Sequence, residues 1–294
     1  MIPRPLRRHR RFRAAARDHG GPAAGRPGTG TGARRPLALT APAGLAVLLL
    51  AVPLLGIVTR APWSELPGRL GSPEVSQALV LSLAVSGWAL LLSLLLGVPL
   101  AWVLARTSLP GKALVRSLVL LPMVLPPTVA GVALLQGFGR SGLLGAPLER
   151  IGIVLPFSTP GAVLAATFVS LPFIVITLEG ALAGLDPRYE EAAATMGAGP
   201  LQSLRHVTLP MVLPSLLGGA ALTWARALGE FGATLTFAGN LPGVTQTLPL
   251  QVYLLLQEDP AGATAVALLL LAVAAGVLLA LRGRWLAGAT PPRS

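Results

Sequence analysis

The sequence predicts an all-α integral membrane protein, a bundle of six membrane helices, and three observations predict it. Of 294 residues, 53% are hydrophobic and 12% are charged, whereas about one quarter of a typical soluble domain is charged. Too few charges remain to solvate an ordinary globular surface, so lipid must replace water over much of it. The mean hydropathy is +0.71. Six stretches, 37–59, 78–104, 114–138, 159–181, 211–238 and 261–281, reach the roughly 20 mainly apolar residues that a helix needs to cross a bilayer.

Residues 1–36 precede these stretches and read as a disordered, basic cytoplasmic tail. Ten of the 23 basic residues lie here, five of them clustered as Arg7, Arg8, Arg10, Arg11 and Arg13. The net charge of +12 is therefore not a nucleic-acid signature. It orients the first helix and attracts anionic lipid. A cleaved signal is the alternative for an Arg-rich stretch before an apolar run. The run from Leu37 to Val58 is long enough to span, however, and no clear cleavage site follows it. The first membrane helix is expected at 37–59.

The third stretch contains Pro122, Pro126 and Pro127 and is expected to be kinked or broken near its start. Prolines at membrane depth need neighbouring protein to satisfy the freed backbone groups, which argues for a packed bundle. Glu179, near the end of the fourth stretch, reads as a snorkelling charge. In the fifth, Gly218, Gly219 and Ala220 would let helices approach closely. The same stretch carries Arg226 and Glu230, four residues apart and so on one helix face. An unpaired charge at mid-bilayer costs about 2.5–3.5 kcal/mol on insertion scales. The two either line or gate a polar path, or form a mutual ion pair that locks helix packing or a subunit interface. Residues 282–294 are expected to be a short cytoplasmic tail.

Orientation follows from Lys and Arg in the loops. With the N-terminus inside, the inside receives the tail arginines, then Arg106, Lys112, Arg116, Arg188, Arg205, Arg282, Arg284 and Arg293. The outside receives Arg60, Arg69, Arg140 and Arg150, diluted by Glu65, Glu74, Glu149, Glu258 and Asp259. Both termini are then cytoplasmic, and so is the loop 182–210.

That loop is the most informative part of the chain. From Gly184 it reads GLDPRYEEAAATMGAGPLQSLRHVTLP. Asp186 is an N-cap candidate, with Pro187 at the first helical position. Glu190 to Met196 favours helix, and Gly197, Gly199 and Pro200 break it. Leu201 to His206 suits a second short helix. The expectation is two short helices with a bend, lying at the membrane surface.

Within it, Glu191, Ala192 and Ala193 are followed by Gly197 after three residues, and by Val207, Leu209 and Pro210 after nine more. This pattern resembles the coupling motif of type I ABC importer permeases, with Val207 where isoleucine is commoner. The resemblance implies that the loop docks into a groove on a separate ATPase subunit and passes on its closure. The chemistry suits that role. Two alanines leave a shallow surface, Gly197 permits a tight bend, and Glu191 offers a charge to the partner.

Three further runs narrow the resemblance: LPMVLPPTVAGVALLQGFGRSGLLG (121–145), ARALGEFGATLTFAGN (225–240) and LPGVTQTLPLQVYLLLQ (241–257). They resemble the molybdate/tungstate permeases, with sulfate/thiosulfate permeases as close relatives. Gln246, Thr247, Leu248 and Pro249 tilt the reading toward molybdate. The resemblance implies a type 1 transmembrane domain over 75–281, a second permease copy in a homodimer, a pair of ABC ATPase subunits using ATP and magnesium, and an extracytoplasmic oxyanion-binding protein.

Absent motifs bound the chemistry. Cysteine is absent, and His9, His19 and His206 share no ligand spacing, so no metal site is expected. No G-x-x-x-x-G-K-[ST] phosphate loop occurs, so this chain is expected to bind no nucleotide and to carry no catalytic residue. An ion-coupled secondary transporter would carry more titratable groups in its spans and a repeat of hydropathy. A membrane anchor would not need the loop's full spacing.

Overall fold

The computed structural model describes residues 37–287. The chain divides into two units within its first helix, Met1–Ala51 and Val52–Ser294. The basic tail 1–36 and Arg293 lie outside the described residues. In the first unit, the N-terminal part of α1 (Leu37–Arg60) exposes Leu45, Val47, Leu48, Leu49 and Leu50, as a helix bathed in lipid does.

The second unit holds the rest. Two helices open it, α2 (Leu66–Leu70) and α3 (Pro73–Arg106). Ser72 caps α3 by accepting from the Val75 N–H at 3.3 Å, and Pro73 occupies the first turn, where a missing N–H costs nothing. The third stretch becomes α4 (Lys112–Val124) and α5 (Pro127–Phe138). A short α6 (Gly145–Arg150) leads to α7 (Thr159–Ala183). The loop holds α8 (Arg188–Thr195) and α9 (Pro200–Ser203), then a π turn over Leu204–Thr208. Next come α10 (Leu209–Leu228), α11 (Gly232–Ala238), α12 (Leu248–Glu258) and α13 (Pro260–Ala287). No strand occurs among the described residues.

The expected all-α class holds, and the expected count of six spans is approached but not met exactly. Among the described residues five helices are long and apolar enough to cross a membrane: Thr40–Arg60, Pro73–Arg106, Thr159–Ala183, Pro200–Leu228 and Pro260–Ala280. The stretch 114–138 is cut near its middle. Pro122 sits inside α4 without ending it, whereas Leu125 is extended at φ −64°, ψ 134°. A residue before proline is pushed out of the helical region, and here two prolines follow in tandem. The stretch 211–238 is likewise cut between Leu228 and Gly232. Helix α13 runs on to Ala287, past the expected end at 281.

Helix α7 is the axis of the second unit. It buries Ala162, Ala165, Ala166, Val169, Ile174, Val175 and Leu178, residues from all round its circumference, as a helix apolar on every face requires. Helices α3 and α10 pack along it. Lipid tails are as apolar as leucine, so close fit rather than water exclusion holds such helices together. Ile174 provides the fit. A Cβ on Gly97 of α3 would lie 2.6 Å from its Cγ2, and one on Gly219 of α10 would lie 2.9 Å from its Cδ1. Gly219 therefore packs as the sequence suggests.

Candidate functional site

The loop between α7 and α10 is built from capping chemistry. The Asp186 carboxylate accepts from the Arg188 N–H at 3.0 Å. The helix bounds put Pro187 at the N-cap of α8, but Pro187 has no side-chain donor or acceptor, and the capping bond to the first turn comes from Asp186, as the sequence suggests. The far end closes on Gly197, whose φ is +88°. The Ala198 N–H donates to the Ala193 carbonyl and the Gly197 N–H to that of Ala194, both at 3.0 Å. This is the Schellman arrangement, in which a left-handed residue, usually glycine, turns the chain.

Helix α8 has an outward and an inward face. Tyr189, Glu191, Ala192 and Met196 are exposed, whereas Ala193 is buried. Of the two alanines expected to form a shallow surface, Ala192 is exposed and Ala193 is buried, because adjacent helix residues point about 100° apart; Ala194 is exposed as well. Leu201, beyond the bend, is also exposed. The outer surface thus offers an apolar set around one carboxylate.

The second half differs from a separate surface helix. Helix α9, the π turn and α10 run without interruption as Pro200–Leu228, so the loop is joined directly to a long helix. The π turn, with the Leu209 N–H donating to the Leu204 carbonyl, has an identifiable cause. Pro210 lacks an N–H, and its ring crowds the carbonyl four residues earlier. Widening the preceding turn relieves that crowding. Val207 and Leu209 are half-buried, Pro210 is exposed, and Thr208 is buried.

The inward face carries Glu190, which sequence reasoning passed over in favour of Glu191. Its Oε1 accepts from Arg106 Nη2 at 3.1 Å, at the end of α3, and from the Thr208 hydroxyl at 2.8 Å. One carboxylate oxygen thus ties the loop helix to two long helices. The available signal was spacing: Glu190 lies three residues before buried Ala193 and so on the inner face. A cavity of about 200 Å³ beside it is lined by Trp102, Glu190, Ala194, Pro200, Ser203 and Thr208. A second, apolar cavity of about 260 Å³ shares Trp102, Leu204 and Thr208 with it.

The intramembrane charges are paired. Arg226 Nη1 lies 2.6 Å from Glu230 Oε2, with side chains 31% and 2% exposed. Glu230 lies beyond the end of α10, so the pair forms across a helix terminus rather than along one face. The other oxygen of Glu230 accepts from the Ala233 N–H at 2.8 Å and so caps α11. Glu179, expected as a snorkelling charge, is instead the half-buried member of an ion pair. It accepts from Arg116 Nε at 2.6 Å and is 13% exposed. Gln246 and Thr247 are buried, and the Leu248 N–H donates to the Ser82 hydroxyl at 2.7 Å.

At the junction of α12 and α13, Arg69 pairs with both Glu65, at 2.7 Å, and Asp259. Asp259 also accepts from the Gly262 N–H at 3.0 Å. The Gly262 bond and then Arg69 hold its carboxyl below the ordinary value of 3.8. Glu65, followed by Asp259, raises the Arg69 guanidinium above its own.

Residues 93–288 match the profile of a family described as binding-protein-dependent transport system inner membrane component. The chain is 49% identical over 243 residues to the molybdenum transport system permease protein ModB of Mycobacterium bovis, covering 83% of this chain and 92% of that protein. It is 37% identical over 229 residues to the sulfate transport system permease protein CysT of Salmonella typhimurium, covering 76% and 83%. A crystal structure of a bacterial ABC transporter that imports the acidic polysaccharide alginate superposes with a TM-score of 0.70 at 19% identity, over 86% of this chain and 95% of that one. At that identity the superposition establishes the fold alone.

Proposed function

The chain belongs to the family of binding-protein-dependent transport system inner membrane components, and from that premise we propose that it is the permease subunit of an ATP-driven molybdate importer. The observation that carries the substrate is the 49% identity to a molybdenum permease across 83% of the chain, against 37% to a sulfate permease. Sulfate, thiosulfate or tungstate is the second reading, favoured by that lower but extensive similarity.

This subunit translocates and does not hydrolyse. ATP and magnesium act on a separate pair of ATPase subunits. An extracytoplasmic binding protein delivers the oxyanion, and a second copy of this chain forms the other half of the path. Both termini and the loop 182–210 face the cytoplasm. In this reading the ATPase groove takes the outward face of α8, with Glu191 as the charge it meets and Ala192 as the point of close approach. Gly197, Val207, Leu209 and Pro210 shape the bend and the entry into α10. ATPase closure then moves α9 and α10 as one piece, because no break separates them, and the bundle opens alternately to each side. The Arg226–Glu230 pair supports a packing role: its acid is buried, offsets the arginine's charge and also holds the start of α11.

The test is ATPase activity of the reconstituted complex with its ATPase and binding-protein partners, comparing molybdate, tungstate, sulfate and phosphate at equal concentration. Stimulation by molybdate is the expected result. Stimulation by sulfate alone moves the substrate, and stimulation by none of the four overturns the oxyanion reading.

A further inference from the structure

We propose that Glu190 is a positioning residue for transport, a strut through which the loop moves α3 and α10 together. The inference rests on the coupling role proposed for the loop and names the residue that carries the motion inward.

Three observations carry it. The first is connectivity: Oε1 of Glu190 accepts from both Arg106 on α3 and Thr208 at the head of α10. A displacement of α8 therefore pulls on two long helices through one carboxylate. The covalent path through Gly197 and Gly199 reaches only α10, across a bend.

The second is the π turn at the point of attachment. Thr208 is its last residue. A π turn inside a helix is a local widening that can migrate or tighten. Cavities of about 200 Å³ and 260 Å³ share Leu204 and Thr208 among their lining residues. Both clefts border the π turn, so Leu204 and Thr208 are not close-packed on every side.

The third is incomplete satisfaction. Arg106 Nε and Ser203 Oγ are buried without a hydrogen-bond partner. A buried orphan polar group costs about 1–3 kcal/mol. Arg106 is bonded to Glu190 through a different nitrogen, and Ser203 borders the same cavity as Glu190. A shift of Glu190 toward Ser203 or into a bidentate contact with Arg106 would satisfy one of these groups, so the strut has unmade bonds within reach of a small movement. The neighbouring Glu191 is exposed and free to meet a partner, so adjacent glutamates divide the work.

The test measures ATP hydrolysed and molybdate accumulated in the same proteoliposomes, with the full complex and binding protein. A residue that matters only for folding lowers both in proportion and leaves their ratio unchanged. Glu190→Ala is expected to raise the ATP consumed per anion by about fivefold or more, the scale of a typical coupling free energy. Glu190→Gln keeps an acceptor for Thr208 but loses the charge facing Arg106, and is expected to fall between. Should Glu190→Ala not assemble, Thr208→Val and Arg106→Gln each cut one link, and each is expected to raise the ratio. An unchanged ratio in assembled variants, beside a wild type that transports, overturns the strut alone. A wild type that assembles but accumulates no molybdate overturns the molybdate reading, and the strut with it.

Discussion

Ile174 of α7 fills the space in which a Cβ on Gly97 of α3 would sit, with only 2.6 Å between its Cγ2 and that position. Gly97→Ala is therefore expected to destabilise the bundle by about 1–3 kcal/mol, the usual range for overpacking. Ile174→Ala in the same chain removes the clashing atoms, so the double variant should lose less than the two single losses added together. Thermal unfolding in detergent checks this. Additive losses would mean that the two positions do not meet.

Gly197 holds φ +88° and ends α8, with nothing within 4 Å of an added Cβ. Gly197→Asp meets no clash, but an L-residue in this conformation costs about 1–2 kcal/mol. The carboxylate would also stand on the surface proposed for the ATPase. The variant is expected to reach the membrane and lose transport. Gly197→Asn tolerates the left-handed region better and should retain more. Wild-type transport by Gly197→Asp would remove the loop from the coupling role.

Glu230 does two things with two oxygens, pairing with Arg226 and capping α11. Glu230→Gln keeps an acceptor for the Ala233 N–H and loses the charge. Glu230→Ala loses both. The alanine variant should be less stable than the glutamine variant by about 1 kcal/mol, the value of a typical cap. Equal melting temperatures would show that the cap contributes nothing.

Asp259 has a carboxyl held below its ordinary value of 3.8 by the Gly262 N–H and Arg69. A depressed carboxylate stabilises the folded state fully above its unfolded pKa, and that stabilisation is lost as pH falls through the folded value. Asp259→Asn should thus lower the melting temperature near neutral pH. The gap from wild type should close as the pH drops below 3.8. A gap independent of pH would show that the carboxylate charge is not its source.

Local pattern made much of this legible in advance. The apolar runs at 37–59, 78–104, 159–181 and 261–281 marked the membrane helices there, because crossing a bilayer demands length and apolarity regardless of neighbours. The tandem Pro126–Pro127 announced a break, though not that Pro122 would be tolerated four residues earlier. Gly197 as the turn of the loop was equally readable, since a left-handed helix end is a property of a few adjacent residues.

The sequence by itself determined the all-α membrane class, the apolar stretches and the loop pattern of Glu191, Ala192, Ala193, Gly197, Val207, Leu209 and Pro210. Each follows from composition or short-range spacing. Only the tertiary structure decided which glutamate turns inward, that Glu179 meets Arg116 rather than snorkelling, and that Gly97 and Gly219 both close on Ile174. Those partners lie far apart in the chain, 84 residues between Arg106 and Glu190 and 63 between Arg116 and Glu179. A charge or a glycine can be read from its own helix, but its partner is chosen by how the helices pack.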